Sequence, residues 1–118
     1  MARQRIIIGT ELKLNVNVEP LHGAGISTSM SDYDFDIILS SGSINKKSIV
    51  FSKKNDTLSS GMRKVDNNNY LVAFDTTELA LGKIMVRIKA YIPDGDFKDG
   101  KRTEIDDVDT GIELVNSL

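Results

Sequence analysis

An apolar residue at every second position over ten positions constrains this chain more than any other feature of its sequence. Between residues 83 and 92, Met85, Arg87, Lys89 and Tyr91 fall on one side of an extended chain. The other side carries Ile84, Val86, Ile88, Ala90 and Ile92. Successive side chains of a β-strand point to opposite faces of the sheet, so this period of two predicts a strand with one buried face. We therefore expect Val86 in the core and Lys89 on the opposite face.

The same period recurs in three other parts of the chain. Residues 11–19 alternate up to Pro20, which ends the run because proline cannot donate a ladder hydrogen bond. Residues 34–40 and 70–75 alternate as well. The apolar faces of these three strands consist of Leu12, Leu14, Val16 and Val18, of Phe35, Ile37 and Leu39, and of Tyr70, Val72 and Phe74.

Shorter β-prone runs and turn signals occupy most of the remaining sequence. Residues 48–52, 62–65 and 102–115 favour strands, the last broken by Gly111. Turns are indicated at residues 41–43 and at 66–69, where asparagine tolerates positive φ. Only residues 76–81 suggest a helix, of about one and a half turns. The sequence predicts an all-β, immunoglobulin-like β-sandwich of about seven to eight short antiparallel strands, with a closed barrel as the alternative.

Composition limits the classes of protein to which the chain can belong. Its 118 residues fit a single domain, residues 1–118. The 15 basic and 17 acidic residues give a net charge of −2, which argues against a protein that coats nucleic acid. The absence of cysteine excludes disulfides and thiolate chemistry. No apolar run reaches the roughly 7–15 residues of a secretory signal or the ~20 of a membrane span.

Residue patterns that carry chemistry are scarce. His22 is the only histidine and lies in a long loop, residues 21–33, without a nucleophile motif. Residues 94–100 resemble a calcium loop, but Lys98 and Ile105 stand where such a loop needs an acid and a glutamate. We therefore favour a hairpin turn there, with calcium binding as the alternative. The sequence predicts no catalytic residue, no cofactor and no metal.

The N-terminal segment carries Arg5 ahead of three consecutive isoleucines, Ile6, Ile7 and Ile8. Three isoleucines in a row do not alternate, so both faces of the segment need cover. The favoured interpretation is that residues 1–8 contain the first strand of the sandwich. The alternative is an N-terminal arm that adds a strand to a neighbouring subunit, which makes these four residues candidate assembly contacts.

Three aromatic residues fall outside the predicted core: Tyr33, Tyr91 and Phe97. Exposed aromatic rings are the surfaces on which proteins bind sugars, so these rings give weak support to carbohydrate binding. Tyr33 and Phe97 also join the candidate assembly contacts. The remaining phenylalanines, Phe35, Phe51 and Phe74, are better explained as core residues.

Five segments carry a family resemblance: residues 8–16, 30–35, 79–83, 90–96 and 108–112. They resemble small virion-associated proteins of tailed phages and prophages of gut bacteria, including the crAss-like phages. The order of a strand, a short Leu-Gly turn and a long strand is also similar to the N-terminal immunoglobulin-like module of phage baseplate upper proteins. The resemblance covers about residues 8–115. It implies an immunoglobulin-like fold and a structural or attachment role, and it transfers no catalytic residue.

The resemblance leads us to expect a structural component of a phage virion, such as a head fibre, a capsid decoration or a baseplate or tail adaptor, assembled in the host cytoplasm. We expect a homo-oligomer of two- or three-fold symmetry that contacts other virion proteins through the N-terminal arm and the loop at residues 21–33. Contacts with nucleic acid or membrane are not expected. The alternative is a binding module for a carbohydrate or receptor on the host surface. An enzyme, such as a small hydrolase, is a third hypothesis.

Overall fold

The computed structural model describes residues 3–18 and 30–118 of the chain. The strand end expected at Pro20, the histidine His22 and residues 21–29 of the expected loop lie outside the described residues. Single 3-10 turns occupy Met30–Asp32 and Thr76–Glu78. The strands are β1 (Gln4–Ile7), β2 (Glu11–Asn17), β3 (Asp34–Ser41), β4 (Lys47–Lys54), β5 (Thr57–Leu58), β6 (Met62–Asp66), β7 (Asn69–Asp75), β8 (Gly82–Pro93) and β9 (Lys101–Val115).

The strands form two sheets of unequal width. The wider sheet has six strands in the order β1-β9-β8-β3-β4-β5, and the narrower one has three in the order β2-β7-β6. In the immunoglobulin arrangement, the second, fourth and fifth strands form one sheet against the third, sixth and seventh. The chain keeps this separation, with β2, β6 and β7 in one sheet and β3, β8 and β9 in the other, so the predicted all-β sandwich is confirmed.

Two details of the sandwich differ from the expectation. The described residues form nine strands instead of seven or eight, partly because a two-residue strand, β5, pairs with the end of β4. The strands are also not all antiparallel, because β1 runs parallel to β9, with Gln4 opposite Ile112 and Ile7 opposite Val115. This pairing places the N-terminal isoleucines at the edge of the wider sheet.

The core lies between the two sheets and consists of the inward faces that the alternation predicts. All the predicted inward residues of β3, β7 and β8 are buried. Phe35 and Tyr70 meet across the core edge to face, with ring centroids 4.9 Å apart. Leu12 and Leu14 are half-buried against the same cluster, since β2 is an edge strand of the narrower sheet.

Residues 76–81 form a shorter helical element than predicted. Only the 3-10 turn Thr76–Glu78 is helical, and Gly82 already begins β8. The buried Thr76 side chain explains this, because its hydroxyl accepts a hydrogen bond from the Gly9 N–H (2.8 Å) and donates one to the Thr10 carbonyl (2.7 Å). These bonds tie the turn to the start of β2 and override the local helical tendency.

Gly111 bends the last strand without breaking it. β9 is continuous from Lys101 to Val115, and its register with β8 shifts between Lys83 and Met85. Gly111 has a φ of 78°, and its N–H donates to the Asp109 carboxylate at 2.8 Å. The expected break is therefore a β-bulge, for which glycine supplies the left-handed conformation.

Positive φ occurs at a different asparagine turn from the one expected. Residues 67–68 do connect β6 and β7, but within the described ranges the non-glycine residues with positive φ are Asn55 (49°) and Asp56 (66°). Two consecutive positive φ values are typical of a type I′ turn, and this one connects β4 with β5. In the β6–β7 turn, the Asp66 carboxylate instead accepts a hydrogen bond from the Asn68 N–H at 2.9 Å.

The two faces of β8 predict opposite responses to substitution. We expect Val86→Asp to unfold the domain, because Val86 is 4% exposed and burying an unpaired charge costs several kcal/mol. Lys89→Gln, on the outer face of the same strand, should change stability by less than about 1 kcal/mol. Chemical denaturation of both variants measures the difference. Equal losses of stability would show that the face assignment of β8 is wrong.

Candidate functional site

The outer face of the six-stranded sheet is the wider of the two outer sheet faces. It faces away from the narrower sheet and carries the side chains that alternate with the core residues. Two of its apolar side chains are strongly exposed, Val50 on β4 (54%) and Ile105 on β9 (52%). Ile38 and Met85 lie on the same face and are half-buried. Val50 stands directly opposite Ile38, and contiguous exposed apolar surface of this kind on an open sheet face is characteristic of contact surfaces.

A polar cleft of about 660 Å³ lies at one end of this face. It forms where the start of β3 meets the ends of β4 and β8, because the antiparallel register places Asp34 opposite Tyr91. The Asp36 carboxylate accepts hydrogen bonds from the Tyr91 hydroxyl and from the Ser52 hydroxyl, both at 2.6 Å. Asp36 therefore joins three strands of the sheet through side-chain hydrogen bonds.

Tyr91 is the central aromatic residue of the cleft. Its hydrogen bond to Asp36, together with partial burial, raises the pKa of Tyr91 to about 12. The Lys101 ammonium lies over the Tyr91 ring, 5.4 Å from its centroid. A hydroxyl, a carboxylate and a cation are thus held in fixed positions around one ring.

A buried lysine forms the inner wall of the cleft. Lys53 is 5% exposed, and its ammonium donates a hydrogen bond to the Tyr33 carbonyl at 2.7 Å. It also approaches the Asp56 carboxylate at 3.6 Å. These contacts compensate the burial of the charge and tie the segment before β3 to the end of β4.

The opposite end of the outer face is basic. A depression of about 360 Å³ there is bordered by Lys46, Lys83, Arg87 and Lys89, with Asp107 as its only acidic residue. Arg87 and Asp107 form a two-pronged ion pair, with nitrogen–oxygen distances of 2.7 and 2.9 Å. The guanidinium holds the pKa of Asp107 below its usual range.

The candidate contact residues lie in three separate places. Arg5, Ile6 and Ile7 belong to β1, and Ile8 follows it. Ile6 and Ile8 pack against the core while Ile7 is exposed, so the domain itself covers one face of this segment and leaves the other face open to solvent or to a partner. Tyr33 lines the polar cleft together with Tyr91.

Phe97 is separate from the other candidate aromatics. It is exposed in the connection between β8 and β9 and does not line the cleft that holds Tyr33 and Tyr91. The structure therefore brings together two of the three aromatic residues that the sequence left outside the core.

An ion pair that the sequence analysis missed anchors β1. The Arg3 guanidinium donates to both oxygens of Asp109, at 2.7 and 2.8 Å, across 106 residues of sequence. Arg3 and the Gly111 N–H hold the pKa of Asp109 well below its usual range. No local pattern indicates such a pair, because the two residues meet only through the β1–β9 pairing.

The loop that resembles a calcium site is closed by its own side chains. One oxygen of Asp94 accepts a hydrogen bond from the Asp96 N–H at 3.0 Å, and the other accepts one from Arg102 at 2.7 Å. These bonds lower the pKa of Asp94. Within residues 3–18 and 30–118, no three acidic or histidine side chains converge as a metal site would require. In the same part of the chain, no helix has the length and apolar character needed to cross a membrane.

Comparison of the chain with protein families, with characterised proteins and with solved structures finds no match.

The hydrogen bond between Tyr91 and Asp36 can be tested by titration. We expect Asp36→Asn to lower the pKa of Tyr91 from about 12 toward the ordinary tyrosine value near 10, because the phenol loses its charged acceptor. Ultraviolet absorbance of the tyrosinate against pH measures the shift. Ser52→Ala, which removes the other donor to Asp36, is the control and should leave Tyr91 titrating near 12. Identical titrations of Asp36→Asn and the wild type would contradict the assignment.

Proposed function

We propose that this protein is a structural component of a phage particle and acts through protein–protein contacts. The observation that carries the proposal is the outer face of the six-stranded sheet, where Val50 and Ile105 expose about half of their side chains. Isolated exposed apolar residues are ordinary, but these two lie on one regular face together with Ile38 and Met85. The family resemblance supports the location in a particle.

The charges around this face suit a contact surface that is formed in advance. Arg87 and Asp107 are paired with each other, and Asp36 is held by two hydroxyl groups. Side chains that are already ordered lose little conformational entropy when a partner binds. One end of the face is basic and the other, at the cleft, carries acidic and basic residues together, and this difference would fix the orientation of the partner on the face.

Counting copies of the chain in purified particles tests this proposal. In particles from a host strain that carries this gene, quantitative mass spectrometry should find the chain at a fixed copy number relative to the major capsid protein. Infected-cell lysate serves as the control for expression. Absence from the particles, with the chain present in the lysate, would contradict a structural role.

Carbohydrate or receptor binding is the second candidate function, and one observation favours it. Tyr33 and Tyr91 line the same polar cleft, next to the Asp36 carboxylate and Lys101. Sugar sites combine an aromatic ring, on which the apolar face of a sugar packs, with fixed hydrogen-bonding groups around it. The cleft offers both within about 660 Å³.

A glycan array with the purified protein tests the second candidate. We expect binding to a glycan through the cleft to be lost in Tyr91→Ala and kept in Phe97→Ala, since Phe97 is exposed away from the cleft. Loss of binding in both variants would place the glycan elsewhere. A wild-type protein that binds no glycan on the array would argue against this function.

A further inference from the structure

An open groove separates the two sheets along one side of the sandwich. It lies between β2, at the edge of the narrower sheet, and the strands β8 and β9 of the wider sheet, and it encloses about 600 Å³. Val86 and Ile88 line it from β8, Leu14 and Val16 line it from β2, and Val108 of β9 is 45% exposed. The groove thus has buried core residues at its base, and its exposed apolar surface comes from Val108 and the half-buried Leu14.

The main chain of β2 is open toward this groove. Among the described strands, β2 pairs only with β7. The Val18 N–H donates to the Asn68 carbonyl at 2.8 Å, and the Thr76 N–H donates to the Thr10 carbonyl at 3.3 Å. Hydrogen-bonded pairs alternate along an antiparallel ladder, so the even-numbered residues of β2 bond to β7. The main-chain groups of the odd-numbered residues Lys13 and Asn15 therefore point to the open edge.

The groove has an acidic wall. Asp106 and Asp109 both line it from β9. Asp109 is paired with Arg3, whereas no described residue forms a hydrogen bond or ion pair with the Asp106 carboxylate. Asp106 stands opposite Ile88 on the inward side of β9, so its charge faces whatever enters the groove.

We propose that the groove accepts an extended segment of another protein, which pairs with β2 as an additional strand. The segment places apolar side chains inward at alternate positions, against Val86, Ile88 and Val108, and a lysine or arginine against Asp106. Strand addition of this kind draws affinity from main-chain hydrogen bonds and specificity from alternate side chains. The inference rests on the proposed contact function and names the kind of partner.

The edge strands of this chain do not have the required pattern, which is why the occupant is another protein. β1 and β2 turn no basic residue toward the core, since their inward residues are glutamine, isoleucine, leucine and valine. β6 keeps a regular register over only three residues, 62–64, and β5 has only two residues. The regular part of β9 turns the charged residues Arg102, Glu104 and Asp106 inward. A second copy would therefore lack a regular strand long enough to combine several inward apolar side chains with an inward cation.

Two substitutions of exposed valines form a matched test. Val108→Glu puts a carboxylate into the groove, and Val65→Glu puts one on β6, at the far edge of the narrower sheet, at similar exposure. The readout is the number of copies per particle when each variant replaces the wild-type gene. We expect Val108→Glu to reduce incorporation by more than about tenfold, because it buries an unpaired charge against Asp106. Val65→Glu should leave incorporation within about twofold of the wild type, because Val65 lies outside both the groove and the outer face of the wider sheet.

A proline substitution tests the main-chain part of the proposal. Asn15→Pro removes an N–H that points to the open edge, where proline is tolerated in an edge strand. Asn15→Ala removes only the side chain and is the control. We expect the proline variant to fold, as checked by circular dichroism, and to lose incorporation, while the alanine variant keeps it. This pair keeps the proposal testable even if Val108→Glu does not fold.

The outcomes separate the groove from the broader contact function. If Ile105→Glu on the outer face lowers incorporation and Val108→Glu does not, the groove proposal is wrong and the contact function stands. If all the folded variants keep normal incorporation, or all lose it, the groove proposal is also wrong. Absence of the wild-type chain from particles would overturn the contact function itself. A photo-cross-linker at position 108 should capture a segment of alternating apolar residues with a basic residue, and capture of a second copy of this chain would overturn the choice of partner.

Discussion

A three-stranded sheet cannot cover the inner face of a six-stranded sheet, and the main surfaces of this protein follow from that inequality. Where the narrower sheet covers β3 and β8, the inward side chains are apolar and buried. Beyond its edge, β9 turns Arg102, Glu104 and Asp106 toward the same side, and these residues are half-buried. β9 thus carries inward charges where the narrower sheet no longer covers the wider one. The groove beside β2 lies at the edge of the covered region.

The inward charges of β9 also affect how the open edges of the sandwich can associate. β1 covers only the last residues of β9, so the part from Lys101 to Asp109 has β8 as its only described neighbour. Charged residues that point inward on an edge strand discourage association with other chains. Arg102 is held there by Asp94 and Glu104. β2 has no comparable inward charge, so it is the more receptive of the two edges beside the groove.

The strands could be predicted from the sequence because alternation is a local property. β2, β3, β7 and β8 each lie within two residues of their predicted bounds, and their inward residues are the expected ones. Pairing partners are not local. The parallel pairing of β1 with β9 joins residues more than a hundred positions apart, and the Arg3–Asp109 ion pair depends on it. The helical tendency of residues 76–81 was overestimated because Thr76 bonds to a distant turn.

The candidate site was predictable only in its parts. The sequence places Tyr33 and Tyr91 among the aromatic residues outside the core, but their common cleft depends on the register that sets Asp34 opposite Tyr91. Val108 and Asp106 gave no signal, because alternation does not indicate which strand lies at an edge. The sequence therefore predicts which residues share a face of one strand, but not which residues of different strands meet.

The parallel β1–β9 pairing has a mechanical consequence. Because the two strands run in the same direction, chain that precedes β1 and chain that follows β9 leave from opposite ends of the ladder. A force that pulls these two points apart loads the hydrogen bonds between residues 4–7 and 112–115 in shear, so they must fail together instead of one after another. The domain would then resist stretching along this axis more strongly than peeling at β5, where the last pairs of the sheet can open singly.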